Sequence, residues 1–275
     1  MTSKIKCRTF KHGLPAFSYA QVKLDGIWLR VEHGRALTSH PTDVTERLTH
    51  HDWWGHAQRM CDATGCVILG ELCAPGRPAS QVKSAMARGE SLELIMFALE
   101  HALIDAEASL ESVESMARYY SLPFAPFARG QFSSIVAAQH ALDCKYRAPG
   151  ECLDEYRGHR VEGLVFKRGN LADWHKWKPV RTIDCVVTAF TDGRGKYEGL
   201  PGSLECSIEG RVVCDVSGMD DDTRELLVPG DIGRVCEVMY QYVGSAGRLR
   251  HPRFVRWRDD KSPDECLLSQ DPELE

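Results

Sequence analysis

Residues 21–30 read QVKLDGIWLR, an apolar strand interrupted at its third position by Lys23 and turned two residues later by Asp25-Gly26. A lysine in a buried strand gives up its water, and lost hydration with nearby cations lowers the pKa of an amine toward the range in which it is a nucleophile. Asp25 sets a carboxylate beside it, and Gly26 allows a tight reversal of the chain. The stretch therefore reads either as a hairpin strand with a surface lysine or as a strand built to present one amine, and its surroundings decide.

Around it the pattern is mixed. VKLDGIWLRVEHG and RALTS are expected to form a hairpin turning near His33-Gly34, and DVTERLTHHDWWGHAQRM a helix with Asp43 as N-cap and Glu46 three residues on. GCVILGEL and EGLVFK read as buried strands, AEASLESVESMARYY and SSIVAAQHALDC as helices. From Thr182 helical periodicity nearly vanishes. TIDCVVTAFT, SLECSIEG, RVVCDVSG, GRVCEVMYQYV and RFVRWR are short strands parted by glycine-rich turns, with DDDTRELL as one short helix, the spacing of a small antiparallel barrel. The expected fold class is α+β: an α+β domain over 1–180, a barrel over 181–262 and an acidic C-terminal tail over 263–275.

With 43% apolar and 27% charged residues among 275, the chain has the balance of a soluble globular protein. MTSKIKCRTFKHG lacks the apolar run of a signal peptide, and no stretch approaches the ~18 apolar residues of a membrane span. A cytoplasmic protein with no membrane partner is the expectation. Eleven cysteines, an odd number without a C-x-x-C pair, read as small buried hydrophobes in a reducing compartment. The net charge of -5 hides an asymmetry: residues 259–275 carry seven acids and one lysine, whereas RLRHPRFVRWR just before them holds Arg248, Arg250, Arg253, Arg256 and Arg258.

Further residues keep Lys23 company. GEL at 70–72 ends one apolar strand with Glu71, and EGLVFK opens another with Glu162; two acids bracketing a buried lysine suit a divalent cation. WHKWKP offers Lys176 and Lys178, alternating on one face of an extended segment, a pair that suits phosphate oxygens. Each alone is better explained as a solvated strand end.

Together and in this order, K-x-D-G, G-E-L, E-G-L-V-F-K and K-W-K followed by a barrel resemble the covalent nucleotidyltransferases, and most closely the ATP-dependent DNA ligases in a minimal two-domain form. The resemblance runs from about Gln21 to Lys261. DGRGKYEGLPGSL is similar to the glycine-rich loop of their oligonucleotide-binding (OB) fold domain, and LRHPRFVRWRDDK to their C-terminal basic motif, phrases that capping enzymes and most RNA ligases lack.

The resemblance implies a nucleotidyltransferase (adenylation) domain followed by an OB-fold barrel, with ATP and Mg2+ (Mn2+ as substitute) as cofactors and nicked duplex DNA as the partner of a monomer. It implies a cytoplasmic setting in a bacterial cell, or a virus-encoded protein acting in a host cytoplasm. Lys23 would attack the α-phosphate of ATP to form lysyl-AMP, pass AMP to the 5′-phosphate of a nick, and allow the 3′-hydroxyl to displace it. Glu71 would bind the ribose or the metal ion, Glu162 the metal ion, and Lys176 and Lys178 the α-phosphate. Asp25 would serve the last step, and Arg30 would contact the nicked strand or a ribose. Phe97 in LIMFALE would stack on adenine, with Val165 or Leu164 on the other face. Arg256, Arg258 and Lys261 would orient the pyrophosphate. His40, Arg194, Lys196, Arg248, Arg250 and Arg253 would meet DNA phosphates.

Two departures stand out. His40 occupies the place of the arginine with which ligases often grip the nick 5′-phosphate, and Ala98 follows the aromatic where many relatives have an acid. The same scaffold also serves RNA-joining ligases, which would prefer ribose ends, and a non-catalytic nick-binding module, which would bind DNA without forming a covalent AMP adduct.

Overall fold

The computed structural model describes residues 7–10, 16–101, 110–146, 155–168, 173–244 and 246–275. The chain divides into two compact units, Met1–Lys178 and Pro179–Glu275.

Ten strands build the first unit: β1 (Arg8–Thr9), β2 (Phe17–Leu24), β3 (Ile27–Glu32), β4 (Arg35–Thr38), β5 (Cys66–Cys73), β6 (Glu93–His101), β7 (Phe127–Phe132), β8 (Glu155–Tyr156), β9 (His159–Lys167) and β10 (Trp174–Trp177). One sheet runs β1-β10-β9-β2-β7, with β8 beside β9; the other runs β4-β3-β5-β6. Helices α1 (Asp52–Thr64), α2 (Ala79–Ala87) and α3 (Leu110–Tyr119) supply Trp53, Met60, Val82, Met86 and Val113 to a core against the second sheet. Helix α4 (Ile135–Tyr146) adds Ala138 and Leu142 to a core with Phe17, Val22, Leu164 and Phe166 of the first. A third, smaller cluster joins the facing sides of the two sheets: Leu69, Ala98 and Trp174, with Trp28, Phe97 and Val165 packed against them.

The expected helix from Asp43 is two elements. Asp43 Oδ1 accepts the Thr45 amide at 3.0 Å and starts only a short 3-10 turn, Thr45–Arg47. Extended backbone at His51 (φ -79°, ψ 141°) delays α1 to Asp52, and Gly65 ends it in the left-handed conformation (φ 65°). Helix α2 was not expected in a segment with three Pro or Gly residues just ahead of it.

The second unit contains β11 (Arg181–Asp192), β12 (Pro201–Ile208), β13 (Arg211–Val216), a short helix α5 (Asp221–Glu225), β14 (Val235–Tyr240), β15 (Tyr242–Val243), β16 (Leu249–Arg250) and β17 (Arg253–Trp257). Its sheet order is β13-β12-β11-β14-β17, and a parallel bridge from Ser217 to Arg253 brings the first and last strands together as a barrel. Inward side chains, among them Cys185, Leu204, Cys206, Cys214, Val216, Cys236 and Val238, fill it. All ten described cysteines are free thiols, and only Cys7 and Cys144 among them are not buried.

Residues 263–275, expected as a separate tail, belong to this unit. Cys266 and Leu274 are buried in the barrel core, and Asp271, also buried, accepts the Tyr240 hydroxyl and pairs with Arg181 at 3.1 Å. Glu273 also pairs with Arg181, at 3.1 Å, so two acids of this segment are engaged by one barrel cation. Among the described residues, no helix is long and apolar enough to cross a membrane.

Candidate active site

Lys23 is the seventh residue of β2 and stands opposite Gly163 of β9. The ladder then slips, pairing Leu24 with Val161 and leaving Glu162 as the extra residue of a bulge. Strict alternation would send Glu162 to the same side as buried Leu164; the bulge re-aims it. Its two carboxylate oxygens accept from the amines of Lys23 and Lys178.

Two glycines let the backbones come this close. A Cβ on Gly163 would lie 2.2 Å from the Trp177 carbonyl oxygen and 3.0 Å from Lys178 Cα, at a φ of 152° that side chains rarely adopt. Gly26 needs no special conformation, but a Cβ there would stand 2.6 Å from Leu72 O and 2.7 Å from Glu71 Cγ. Its role is therefore close approach rather than the sharp turn expected of it. It packs the β2–β3 connection against β5, whose Glu71 lies near enough to Lys23 to act on its charge.

The protonation of Lys23 runs against expectation. Burial pulls its pKa down, but Glu162, Glu71 and Asp25 outweigh that and hold it above the ordinary lysine value. Burial likewise pushes Glu162 up, and Lys23 and Lys178 outweigh it, so Glu162 stays ionised below its usual range. The resting amine is an ammonium with a carboxylate in contact to take its proton. Asp25 is raised, first by burial and then by Glu162, and its Oδ2 accepts the Ala79 amide at 3.3 Å. It thus anchors the start of α2 as well as facing the lysine.

The aromatic cluster lies along the same sheet face. Phe97 is itself a bulge residue: Leu69 pairs with Ala98 and Gly70 with Met96, leaving Phe97 unpaired in the ladder and packed against Trp174, ring centroids 6.1 Å apart. Val165 joins this cluster, while Leu164 lies in the opposite core. Trp174 is part of the wall. Lys176 alternates with it and with Lys178 on that face of the segment, half-buried opposite Val165.

A residue the sequence reading passed over closes the wall. Lys167 is buried, donates to Gln21 Oε1 and, at 2.9 Å, to the Phe97 carbonyl, and sits 3.6 Å from the centroid of the Trp174 ring. Burial drives its pKa far below the ordinary value. Gln21 is steadied through Nε2 to the Ala125 carbonyl at 3.1 Å. The signals were in plain view: Lys167 ends EGLVFK, and Gln21 stands two residues before Lys23.

Arg30 is nearly buried and held by Glu100 and by Glu32 at 3.3 Å. Glu100 is thus an acid of the Phe97 strand, two places beyond Ala98, committed to an arginine. His40 is exposed in the loop after β4. In the barrel, Arg194, Arg250 and Arg253 are exposed, while Arg248 pairs with Asp215 at 2.6 Å and Lys196 with Asp221 at 3.2 Å. The glycine-rich loop is preformed, not slack: Gly193 donates to Leu200 O at 2.9 Å, and Arg224 stacks on Tyr197 at 4.1 Å. Arg256 pairs with Glu237 at 2.8 Å, Arg258 with Asp184 and Asp260, and Lys261 with Asp184 at 2.6 Å.

In chemical terms, an aromatic wall fit to stack a base leads to an amine, a second ammonium and three carboxylates. Among the described residues no three His, Cys, Asp or Glu side chains could hold a metal ion by themselves. Glu71 and Glu162 supply two carboxylates, which fits a hard divalent cation that takes its other ligands from water and phosphate.

The chain is similar to known proteins in both units. A family model described as a DNA ligase OB-like domain matches residues 192–258, within the barrel. A DNA ligase of Haloarcula marismortui is 34% identical over 125 residues, 36% of this chain and 22% of that protein, so the chain spans about a fifth of the length of the curated relative it matches. A solved structure described as "DNA binding with a minimal scaffold: Structure-function analysis of Lig E DNA ligases" has a TM-score of 0.65 at 18% identity, covering 94% of this chain and 100% of that one. A second, "Pmar-Lig_Pre.", has a TM-score of 0.65 at 14% identity, covering 93% and 68%. The fold is α+β, shared across the chain with these solved structures, and its barrel contains the OB-like match.

Proposed function

We propose that this chain is an ATP-dependent DNA ligase that seals nicks with 5′-phosphate and 3′-hydroxyl ends in duplex DNA. The observation that carries the reading is the contact of Lys23 and Lys178 with the bulged Glu162, at the end of an aromatic wall. The match of the barrel to a DNA ligase OB-like domain supports DNA as the polymer.

Adenine stacks on Phe97 with Val165 across from it, and Lys167 and Gln21 meet its edge. Lys23 gives its proton to Glu162 and attacks the α-phosphorus: an N–P bond forms, the bond to the bridging oxygen breaks, and pyrophosphate leaves. Lys176 and Lys178 neutralise the α-phosphate oxygens, and Arg256, Arg258 and Lys261 draw on the leaving pyrophosphate. Glu71, with Glu162 before it takes the lysine proton, would hold Mg2+ or Mn2+, whose charge would offset that of the phosphates. AMP then passes from Lys23 to the nick 5′-phosphate. In the last step Asp25, with Oδ2 on the Ala79 amide, offers Oδ1 to the 3′-hydroxyl that displaces AMP. Arg30, His40, Arg194, Lys196, Arg248, Arg250 and Arg253 contact the strands, a term that reads no sequence and falls with salt.

The test is incubation with α-labelled ATP and a divalent ion, without DNA, beside Lys23→Ala. Acid-labile label on the wild type alone, discharged by nicked duplex carrying a 5′-phosphate, is expected. No label on protein free of pre-bound AMP sinks the reading.

A further inference from the structure

The second unit contains a carboxylate that no step above employs. Asp184, fourth residue of β11, is only 6% exposed, yet it holds two cations of the basic motif at once. Arg258 Nη1 donates to both of its oxygens at 2.9 and 3.0 Å, and Lys261 Nζ to Oδ2 at 2.6 Å. The far side of the Arg258 guanidinium is held by Asp260 through Nε and Nη2, both at 2.8 Å. Asp184 is itself fixed from behind: the Gln270 side chain accepts from its amide and donates to its carbonyl, each at 3.2 Å. Across the ladder Asp184 stands opposite Glu237, which holds Arg256.

Here two long side chains, five and eight residues beyond the start of β17 in a segment otherwise rich in solvent-facing arginines, converge on one nearly buried acid that a C-terminal side chain pins. Lysine and arginine lose much rotamer freedom when they grip a phosphate, and a group that has already fixed them lowers that cost. Asp260 is a second acid on Arg258, so the two cations are balanced until an anion displaces the exposed Asp260, and Asp184 keeps them in place meanwhile.

We propose that Asp184 is a positioning residue, which with Gln270 behind it pre-orders Arg258 and Lys261 for the triphosphate of ATP. The inference rests on the ligase reading, and its effect falls on lysyl-AMP formation while later sealing is spared.

The experiment compares wild type, Asp184→Asn, Gln270→Ala, Lys261→Met and the double variant Asp184→Asn/Lys261→Met. Each is assayed for lysyl-AMP formation against ATP concentration and for sealing of a nick that already carries AMP, with the thermal midpoint recorded. Asp184→Asn is expected to raise KM for ATP about tenfold and to leave sealing of the adenylated nick within about twofold, the size of one lost charged hydrogen bond. Gln270→Ala moves KM in the same direction and less far. In the Lys261→Met background, Asp184→Asn adds little, because both changes remove one arrangement. Equal losses in both reactions, additive effects in the double variant, or an unchanged KM would overturn the proposal. A wild type that takes no label overturns the ligase reading and this one with it, whereas a labelled wild type with an unselective Asp184→Asn overturns this one alone.

Discussion

Gly163→Ala tests whether the close passage of β10 over β9 is what delivers Lys178 to Glu162. The new methyl carbon would sit 2.2 Å from the Trp177 carbonyl oxygen, where real Cβ atoms essentially never approach within 3.0 Å, so β10 must retreat by at least 0.8 Å. Alanine must also hold a φ of 152°, which costs about 1–3 kcal/mol. Overpacking adds roughly 1–3 kcal/mol, for a total of about 4 kcal/mol in the first unit. The retreat carries the Lys178 backbone away, and a misplacement near 1 Å costs on the order of 100-fold in rate. Single-turnover labelling with α-labelled ATP and denaturant unfolding read the two effects. Gly34→Ala is the control, since its φ is 67° with nothing within 4 Å of a new Cβ; it costs about 1 kcal/mol and leaves labelling alone. A Gly163→Ala protein that labels and unfolds like wild type would refute the reasoning.

Asp25→Asn should stabilise the first unit at pH 7. The folded pKa of Asp25 is raised, so its favourable contribution is present below the unfolded value of 3.8 and lost as pH rises through the folded one; thermal midpoints taken at pH 7 and near pH 3 should show the gain at the higher pH only. Sealing of a pre-adenylated nick by the same variant should collapse, and an unaffected rate would remove Asp25 from the last step. Deleting residues 266–275 takes Leu274 from the barrel core and leaves the Tyr240 hydroxyl without Asp271, about 5 kcal/mol in all, read as a lowered calorimetric transition of the second unit. Arg250→Ala with Arg253→Ala should weaken duplex binding and flatten the plot of log affinity against log salt by about 2; an unchanged slope would mean neither touches phosphate.

The sequence carried the strands of Lys23 and Glu71 and the extended segment of Lys176, because these sit in patterns set by local alternation; β6, which carries Phe97, and β7 it left unassigned. It could not carry the bulges. Nothing in EGLVFK says that Glu162 leaves the ladder, and alternation alone would bury it with Leu164. The pairing of Arg30 with Glu100 spans seventy residues, and helix α2 is anchored by Asp25, fifty-four residues upstream of Ala79, so neither is local information. Lys167 was passed over for another reason: at the end of an apolar run a lysine usually marks the return to solvent. The acidic end misled through charge, which says nothing of whether Leu274 and Cys266 face inward.

Two of the ladder bulges fall at residues of the candidate site, Glu162 and Phe97. A residue outside the ladder has no cross-strand neighbour whose register depends on it, so its side chain can be exchanged while the hydrogen-bonded frame on either side stays in step. The fold thus separates inheritance of its scaffold from revision of its pocket: drift or selection at these two positions can retune which base is held, or how the phosphate end is charged, without renegotiating the sheets that carry them.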